Sequence, residues 1–297
     1  MGFQPVSRAP DLESVPDGPS IWVFLRGDSL LSQDPAVLPL VTDGGGLYRM
    51  LARPVFTIGT LDGVPCHAVD LGNSADAAGA DEWCKRIAPW LGQSGKAVSF
   101  VTLRQVLLAT AGDSPHWRAA SCARHLAEWR RTSRYCGVCG TGLVMQQSDV
   151  SYVCPSCGQQ WWPRVTPAVI VAVTDGERIL LGHNVAFRPG LYAPFAGFVE
   201  PGESLEEACK REVHEESGVQ ITGLAYHASQ HWPFPGSLMI AFTARYAGGT
   251  PRADGIELSE VRWFGRDEAP PGVPGPGGMG RSLYDWFMRG GGKDEGR

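Results

Sequence analysis

The chain has 297 residues, of which 43% are hydrophobic and 19% are charged, and its formal net charge is −5. This composition is typical of globular proteins, and the negative charge excludes a general attraction to nucleic acid or to an anionic membrane. No apolar run approaches the roughly 20 residues of a membrane helix, and the N-terminus lacks the apolar stretch of a signal peptide. We therefore expect a cytoplasmic protein without membrane contact, built as two domains or as one domain plus an accessory module.

The first part of the chain, to about residue 118, predicts a small α+β domain. The segments 21–31 ("IWVFLRGDSLL") and 55–71 ("VFTIGTLDGVPCHAVDL") each predict two strands joined by a turn. The segments 81–90 and 103–110 predict helices, and 121–135 ("SCARHLAEWRRTSRY") predicts a short basic helix that leads to a cysteine cluster. No pattern in this part indicates a chemical function.

Two CxxC pairs follow, formed by Cys136 with Cys139 and by Cys154 with Cys157. The fourteen residues between the pairs are enough for one hairpin. Because zinc binds four thiolates in a tetrahedron, this spacing predicts one structural Zn²⁺ per chain. A redox CxxC is the alternative, but two copies at this spacing disfavour it. With four cysteine ligands no position stays open for catalysis, so the zinc stabilises a segment too small to have its own core.

A helix with clear start and stop signals lies further along the chain. After the predicted strands "AVIVAV" and "RILLG" comes a glycine-containing loop, residues 197–202. Ser204 is a good N-cap, Glu207 completes a capping box, and Gly218 is a good C-terminal stop. The sequence therefore predicts a helix of about four turns between Ser204 and Gly218.

Three glutamates, Glu212, Glu215 and Glu216, fall within an arc of about 100° on this helix. At i, i+3 and i+4 they repel one another, and the nearest compensating charge is Arg211, which we expect to pair with Glu207. A stripe of uncompensated carboxylates is what hard divalent cations bind. A cation held there can bridge phosphate oxygens and activate a water.

Gly197, Glu203 and "REVHEESGV" (211–219) fill every fixed position of the Nudix box, so this region resembles the Nudix hydrolases. In addition, "SQHWPFPGS" (229–237) resembles the SQPWPFPxS array of the NADH pyrophosphatase (NAD-capped RNA hydrolase) family. That family is similar over nearly the whole chain. The resemblance implies an N-terminal α+β domain (1–132), a four-cysteine zinc ribbon (133–165) and a C-terminal Nudix α/β/α sandwich (166–297).

The resemblance also implies site residues and cofactors. Two or more catalytic Mg²⁺ or Mn²⁺ ions are expected on the Ala196 carbonyl and on the acidic residues Glu212, Glu215, Glu216 and Glu257, with Glu260 as a rival to Glu257. The expected substrate contacts are Gln230, His231, Trp232, Pro233, Phe234, Pro235, Gly236 and Ser237 in the array, and Asp149, Trp162, Gly280 and Arg104 outside it. The stiff loop predicted for 229–237 would place its aromatic side chains beside the nicotinamide and ribose.

Four positions depart from the family pattern. His231 replaces the second proline of the array, Asp149 and Trp162 stand where the family often has Glu and Tyr, and Phe195 stands where a leucine is expected. These positions concern the substrate and leave the metal-binding glutamates intact.

The implied reaction is metal-dependent hydrolysis of NAD(H) to NMN(H) and AMP by a homodimer, with Glu215 or Glu257 as the base. One alternative substrate is an NAD-capped RNA or a modified NAD-like dinucleotide. The other alternative is a nucleic-acid binding module without catalysis. Residues 118–164 contain six Arg against one Glu and one Asp, a local charge of +4 that could contact phosphates.

Overall fold

The computed structural model describes residues 2–6, 15, 17–34, 37–72, 79–92, 98–146 and 148–292. The chain divides into two compact units, Met1–Arg164 and Val165–Arg297. The finer boundaries proposed from the sequence, after residues 132 and 165, stay predictions. Among the described helices, none is both long enough and apolar enough to cross a membrane.

The first unit combines a seven-stranded sheet, helices and a small three-stranded sheet. Its strands are β1 (Phe3–Pro5), β2 (Ser20–Arg26), β3 (Ser29–Ser32), β4 (Leu40–Val41), β5 (Val55–Leu61), β6 (Val64–Asp70), β7 (Ser99–Thr102), β8 (Val144–Met145), β9 (Tyr152–Val153) and β10 (Gln160–Trp161). Its helices are α1 (Gly44–Leu51), α2 (Ala80–Ile87), α3 (Leu103–Thr110) and α4 (Pro115–Thr132), with a 3₁₀ turn at Ala88–Trp90.

The seven-stranded sheet has the order β1-β5-β6-β2-β3-β7, with β4 paired to β2. Both hairpins expected from the sequence are present, as β2–β3 and β5–β6. Aromatic and aliphatic side chains of the sheet, such as Trp22 and Phe24, pack with Trp83 and Ile87 of α2 in one buried cluster. These observations confirm the α+β character of this part of the chain.

Helix α4 is longer than the sequence prediction. It begins at Pro115, and the Ser114 hydroxyl accepts a hydrogen bond from the His116 N–H at 3.1 Å. Serine at the N-cap with proline in the first turn is a strong start signal, which lies six residues before the predicted start. The basic end of the helix, by contrast, lies close to where the sequence placed it.

The second unit contains a six-stranded sheet between two helices. Its elements are β11 (Thr166–Asp175), β12 (Arg178–Asn184), β13 (Phe195–Phe198), α5 (Leu205–Ser217), β14 (Val219–Trp232), β15 (Ser237–Gly249), β16 (Leu258–Gly265) and α6 (Met279–Met288). The strand order is β14-β15-β11-β12-β16, with β13 paired to β11 and with β11 parallel to β15.

The central strand β11 is buried on both faces. Successive side chains of a strand point to opposite faces, and here Val169 and Val171 join a core with α5, whereas Ile170 and Ala172 join a core with α6. A strand covered on both faces reads as a continuous apolar run, as "AVIVAV" does. The unit is therefore an α/β/α sandwich, which confirms the predicted fold class.

The segment 229–237 differs from the stiff loop predicted for it. Its first half continues β14 as far as Trp232, and β15 begins at Ser237. Only the four residues 233–236 form a turn, so both prolines fall outside the hydrogen-bonded ladder. Proline is tolerated at such a hairpin end, and β14 is an edge strand, where the pairing demand is lower.

Candidate active site and zinc site

Helix α5 is fixed at both ends by its own sequence. The Ser204 hydroxyl accepts from the Glu207 N–H at 3.2 Å, and the Glu207 carboxylate accepts from the Ser204 N–H at 2.8 Å. Gly218 ends the helix with φ of 70°, a left-handed conformation that glycine adopts without strain. The predicted capping box and stop are both confirmed, and they fix the two ends of the helix that carries the glutamates.

Strand β13 and helix α5 approach closely at Gly197. A Cβ atom built on Gly197 would lie 2.0 Å from Cδ of Glu212, so any side chain there would displace that carboxylate. The neighbouring residue Ala196 pairs with Ile170 of β11, and its backbone N–H hydrogen-bonds with Glu216. Glycine at this position therefore leaves the space in which the Glu212 carboxylate lies.

Arg211 connects several of these acids. Its guanidinium donates to Glu203 at 2.5 and 2.8 Å, to Glu212 at 2.7 Å and to Glu215 at 3.1 Å, and also to the Phe198 carbonyl at 2.9 Å. The pKa of Glu203 falls to about 2, chiefly through the hydrogen bond from Arg211. The predicted pairing of Arg211 with Glu207 is wrong, because the capping box engages Glu207. Likewise, Glu212 and Glu215 are compensated rather than free.

The three glutamates of the predicted stripe lie in different environments. The Glu215 side chain is 59% exposed and that of Glu212 is 13% exposed, whereas Glu216 as a residue is 7% exposed. Burial raises the pKa of Glu216 to about 8, and the charges of Glu212 and Glu257 add to this effect. Burial also raises the pKa of Glu212, against the opposing effect of Arg211. Glu216 makes no salt bridge to another described residue, so a bound cation would stabilise its carboxylate more than those of Glu212 and Glu215.

Of the two later candidates, Glu257 is electrostatically linked to this group. Its charge contributes to the raised pKa values of both Glu212 and Glu216. Glu260 lies on β16 and accepts a hydrogen bond from the Tyr192 hydroxyl at 2.6 Å. Because Glu260 is engaged on the side of the sheet that packs against α6, the contacts favour Glu257, although its role as a ligand stays a prediction.

The glutamates are not gathered into a compact cage. Of the residues that the structure describes, the four cysteines are the group whose potential ligand atoms all lie within 4.8 Å of one another. A looser acid set fits Mg²⁺, which proteins usually hold with one or two carboxylates together with substrate phosphates. The donor chemistry, with a buried carboxylate lacking a counter-charge, therefore suits a hard divalent cation.

The cysteine cluster has the dimensions of a zinc site. Sγ–Sγ distances are 3.6 Å for Cys136–Cys157, 3.4 Å for Cys139–Cys154 and 3.7 Å for Cys139–Cys157. A tetrahedron with Zn–S bonds of about 2.3 Å has edges of about 3.8 Å. The β8–β9 hairpin joins the two CxxC pairs, as expected from the spacing. The four residues thus fit one structural zinc ion.

The array residues form the tip of the β14–β15 hairpin. The Trp232 and Phe234 rings meet edge to face at a centroid distance of 5.4 Å, and the Gln230 amide donates to the Gly277 carbonyl at 2.7 Å. His231 is half-buried on β14, opposite Leu238. The remaining array residues Pro233, Pro235, Gly236 and Ser237 form or border the turn. Preorganised aromatic side chains are thus present, and the role of each residue in substrate binding stays a prediction.

Gly280 is buried at the start of α6, in the same unit as the array. A Cβ atom there would lie 3.2 Å from Pro274 and 3.6 Å from Ile170. Tight packing therefore explains the glycine without any ligand. Its predicted contact with substrate is untested.

Three further candidates lie in the first unit. The Trp162 indole N–H donates to the Asp149 carboxylate at 2.7 Å, so these two residues, both departures from the family pattern, form a pair. Arg104 is exposed on α3. No contact with substrate is tested for any of them.

Several exposed apolar side chains near the glutamates were not predicted. Phe198 ends the strand that carries Ala196 and is 48% exposed. Val185, Phe187 and Ile256 are also exposed, and the Val185 N–H donates to the Glu257 carbonyl at 2.9 Å. Because Phe198 directly follows Gly197 at the end of β13, its residue type was the only signal that the sequence gave for it. We call these four residues, Val185, Phe187, Phe198 and Ile256, the apolar rim.

Comparison with known proteins identifies two regions of the chain. Residues 164–283 match the NUDIX domain, and residues 131–160 match the NADH pyrophosphatase zinc ribbon domain. A protein of Pectobacterium carotovorum subsp. carotovorum named NAD-capped RNA hydrolase NudC is 41% identical over 66% of this chain and 74% of its own length. The chain belongs to the Nudix hydrolase family. A Pseudomonas fluorescens protein of the same name is 33% identical to this Nudix hydrolase over 92% of the chain and 91% of its own length.

A solved NUDIX hydrolase from Nitrosomonas europaea is 23% identical, with a TM-score of 0.45 over 54% of this chain and 94% of its own. Family membership makes the chain an enzyme that depends on Mg²⁺ or Mn²⁺. The zinc ribbon match, together with the cysteine geometry, adds a structural Zn²⁺.

Proposed function

We propose that this Nudix hydrolase splits the pyrophosphate bond of NAD(H), giving NMN(H) and AMP. The observation that carries the proposal is the buried, uncompensated Glu216 beside Glu212 and Ala196, in the unit that also presents the Trp232–Phe234 hairpin tip. A carboxylate site suits cation-bound phosphates, and rigid aromatic side chains suit a flat ring attached to them.

The residues that would hold the divalent cations are Glu212, Glu216, Glu257 and the Ala196 carbonyl, with Glu215 at the exposed edge. Bound there, a cation supplies Lewis acidity, which neutralises pyrophosphate charge and makes a water more acidic. Arg211 keeps Glu212 and Glu215 in place through its hydrogen bonds and is itself held by Glu203. This preorganisation limits the reorganisation needed during the reaction.

In the proposed reaction the oxygen of a water forms a bond to one phosphorus while the bridging P–O bond breaks. The bridging oxygen leaves with the second phosphate, so two mononucleotides result. The proton of the water passes to a carboxylate. We propose for this role Glu215, which lies at the exposed edge of the site, or Glu257, which would act in addition to holding a cation.

The apolar rim favours a substrate that carries flat rings as well as phosphates. Phe198 and Phe187 offer aromatic faces, and Val185 and Ile256 flank Glu257. Such surfaces around an anionic, cation-binding centre are of little use to inorganic pyrophosphate. Stacking of a base on an aromatic side chain contributes about 1–3 kcal/mol in nucleic-acid complexes.

Removal of an NAD cap from RNA is the second candidate, because the relatives are named for that activity. The basic region 118–164 adds less support than its charge of +4 suggests. Arg124 and Arg131 are paired with Glu128, and Arg130 lies over the Phe56 ring at 4.5 Å. Arg164 also lies over the Trp161 ring at 5.5 Å, so at least four of the six arginines are engaged within the protein. A nucleic-acid binding module without catalysis finds no support in the family.

A product assay tests these candidates. NADH, NAD⁺, ADP-ribose, Ap3A and NAD-capped RNA are incubated with Mg²⁺ or Mn²⁺, and products are resolved by chromatography, with the Glu216→Gln variant as control. We expect NMN(H) and AMP from NAD(H), and loss of nearly all turnover in the variant. Turnover of Ap3A or ADP-ribose without NAD(H) cleavage would refute the substrate. A higher kcat/KM for capped RNA than for NADH would place the second candidate first.

The family resemblance also supports a homodimer that works in the cytoplasm, and we propose both. Light scattering of the purified protein tests the first proposal, and fractionation of producing cells tests the second. A monomeric mass at all concentrations, or recovery outside the cytoplasm, would contradict them.

A further inference from the structure

The carboxylate of Asp254 caps a tight turn that ends at the proposed metal ligand Glu257. Its Oδ1 atom accepts from the backbone N–H groups of Ile256 at 3.1 Å, Glu257 at 3.2 Å and Leu258 at 2.8 Å. The Oδ2 atom accepts from the Glu257 N–H at 3.2 Å. One exposed side chain thus satisfies three consecutive backbone donors.

The main chain of Glu257 is held on its other side as well. Its carbonyl accepts from the Val185 N–H at 2.9 Å, and the turn is closed by a hydrogen bond from the Gly255 N–H to the Leu258 carbonyl at 3.0 Å. Leu258 is 5% exposed and belongs to the core that packs against α5. The backbone at Glu257 therefore has a fixed place relative to the helix that carries Glu212 and Glu216.

We propose that Asp254 is a positioning residue, whose carboxylate fixes the turn that presents Glu257 to the divalent-cation site. This inference rests on the proposed function, in which Glu257 is a metal ligand. A glutamate side chain has several rotatable bonds, so its carboxylate reaches a fixed point only if the backbone beneath it is immobile. Residues that orient metal ligands without touching the metal typically contribute about 10- to 100-fold to metal affinity.

Two properties of Asp254 need to be separated: its hydrogen-bond acceptors and its charge. Asparagine keeps an acceptor at the Oδ1 position, which makes three of the four bonds, but it removes the charge. Alanine removes both. If positioning is the role, Asp254→Asn should resemble the wild type and Asp254→Ala should not.

The experiment measures Mn²⁺ binding without substrate, by the electron paramagnetic resonance signal of the free ion, together with a melting curve. The variants are Asp254→Ala, Asp254→Asn, Glu257→Gln and the double variant Asp254→Ala/Glu257→Gln. Asp175→Ala is the matched control, because Asp175 is another exposed aspartate of this unit, at the β11–β12 turn, where it pairs with Arg178.

We expect Asp254→Ala to raise the Kd for Mn²⁺ about tenfold, while Asp254→Asn and Asp175→Ala stay within about twofold of the wild type. In the Glu257→Gln background, Asp254→Ala should have little further effect, since a residue that acts through Glu257 is coupled to it. Equal losses in both backgrounds, an unchanged Kd in Asp254→Ala, or an Asn variant as weak as Ala would overturn the proposal. So would normal Mn²⁺ binding by Glu257→Gln.

Failure of the proposed function gives a different result. In that case the wild type and Asp175→Ala bind Mn²⁺ normally but do not cleave NADH. The comparison of Mn²⁺ binding by the single and double variants of Asp254 and Glu257 then still decides whether Asp254 positions Glu257. A melting temperature lowered in Asp254→Ala, with Mn²⁺ affinity unchanged, would assign Asp254 a purely structural role.

Discussion

The buried carboxyl of Glu216 should couple pH to metal binding and to stability. Burial, reinforced by Glu212 and Glu257, raises its pKa from an ordinary value of 4.5 to about 8. Without a cation, the folded protein therefore keeps a proton on Glu216 at neutral pH, whereas the unfolded chain does not. The stability from this group is complete below about pH 4.5 and is lost as pH rises through about 8.

The size of the binding effect follows from the same pKa. If Glu216 holds the cation, as proposed, binding must displace its proton, so the apparent affinity falls with the protonated fraction. With a pKa of about 8, the loss is about 100-fold at pH 6 and about twofold at pH 8, a difference of about 50-fold between the two. An unperturbed glutamate would give almost no change over this range.

Calorimetry with Mg²⁺ or Mn²⁺ at pH 6, 7 and 8, without substrate, measures this dependence. The metal-free protein should also melt at a lower temperature as pH rises over this range, and saturating Mg²⁺ should restore the loss. Glu216→Gln should bind weakly at every pH and lack the pH slope. An affinity that changes less than threefold in the wild type, or an equal slope in the variant, would refute this reasoning.

Three further outcomes are expected. Purified protein should carry about one zinc per chain, and mild EDTA should leave this zinc in place while it stops Mg²⁺-dependent turnover. The Cys139→Ser variant should misfold. A fully active, zinc-free Cys139→Ser variant would contradict the structural role of the zinc. Phe234→Ala should lower kcat/KM for NADH by about 10- to 100-fold and for ADP-ribose by less, whereas equal losses with a lower melting point would indicate a core role instead. Arg211→Ala should lower the free energy of unfolding by about 1–3 kcal/mol in urea titrations, with Arg211→Lys intermediate, and unchanged stability in both would show that its hydrogen bonds contribute little.

Local signals in the sequence were sufficient for much of the fold. The capping box at Ser204, the stop at Gly218 and the spacing of the four cysteines depend on contacts within a few residues or on one hairpin, and each is confirmed. The start of α4 at Pro115 is also encoded locally, by Ser114 and the proline, and lies six residues before the predicted start.

Other features depend on contacts between distant segments. Arg211 pairs with Glu203 in the preceding loop, eight residues away, rather than with Glu207 one turn back. The helix periodicity does not indicate which glutamate pairs with Arg211, because the pairing depends on the path of the loop between β13 and the helix. The same holds for the hairpin at Trp232, where pairing with β15 extends a strand into a segment whose prolines predict a loop.

The glutamate stripe illustrates what periodicity can and cannot provide. A helical wheel places Glu212, Glu215 and Glu216 on one side of the helix and does not distinguish their environments. The sheet makes them different, because β13 covers Glu216 and leaves Glu215 in solvent beside Arg211. A buried acid with a high pKa binds a cation in exchange for a proton, whereas an exposed, ion-paired acid responds little to pH. The pH sensitivity of metal binding therefore depends on the burial of Glu216, which results from tertiary packing and is not encoded in the helix motif.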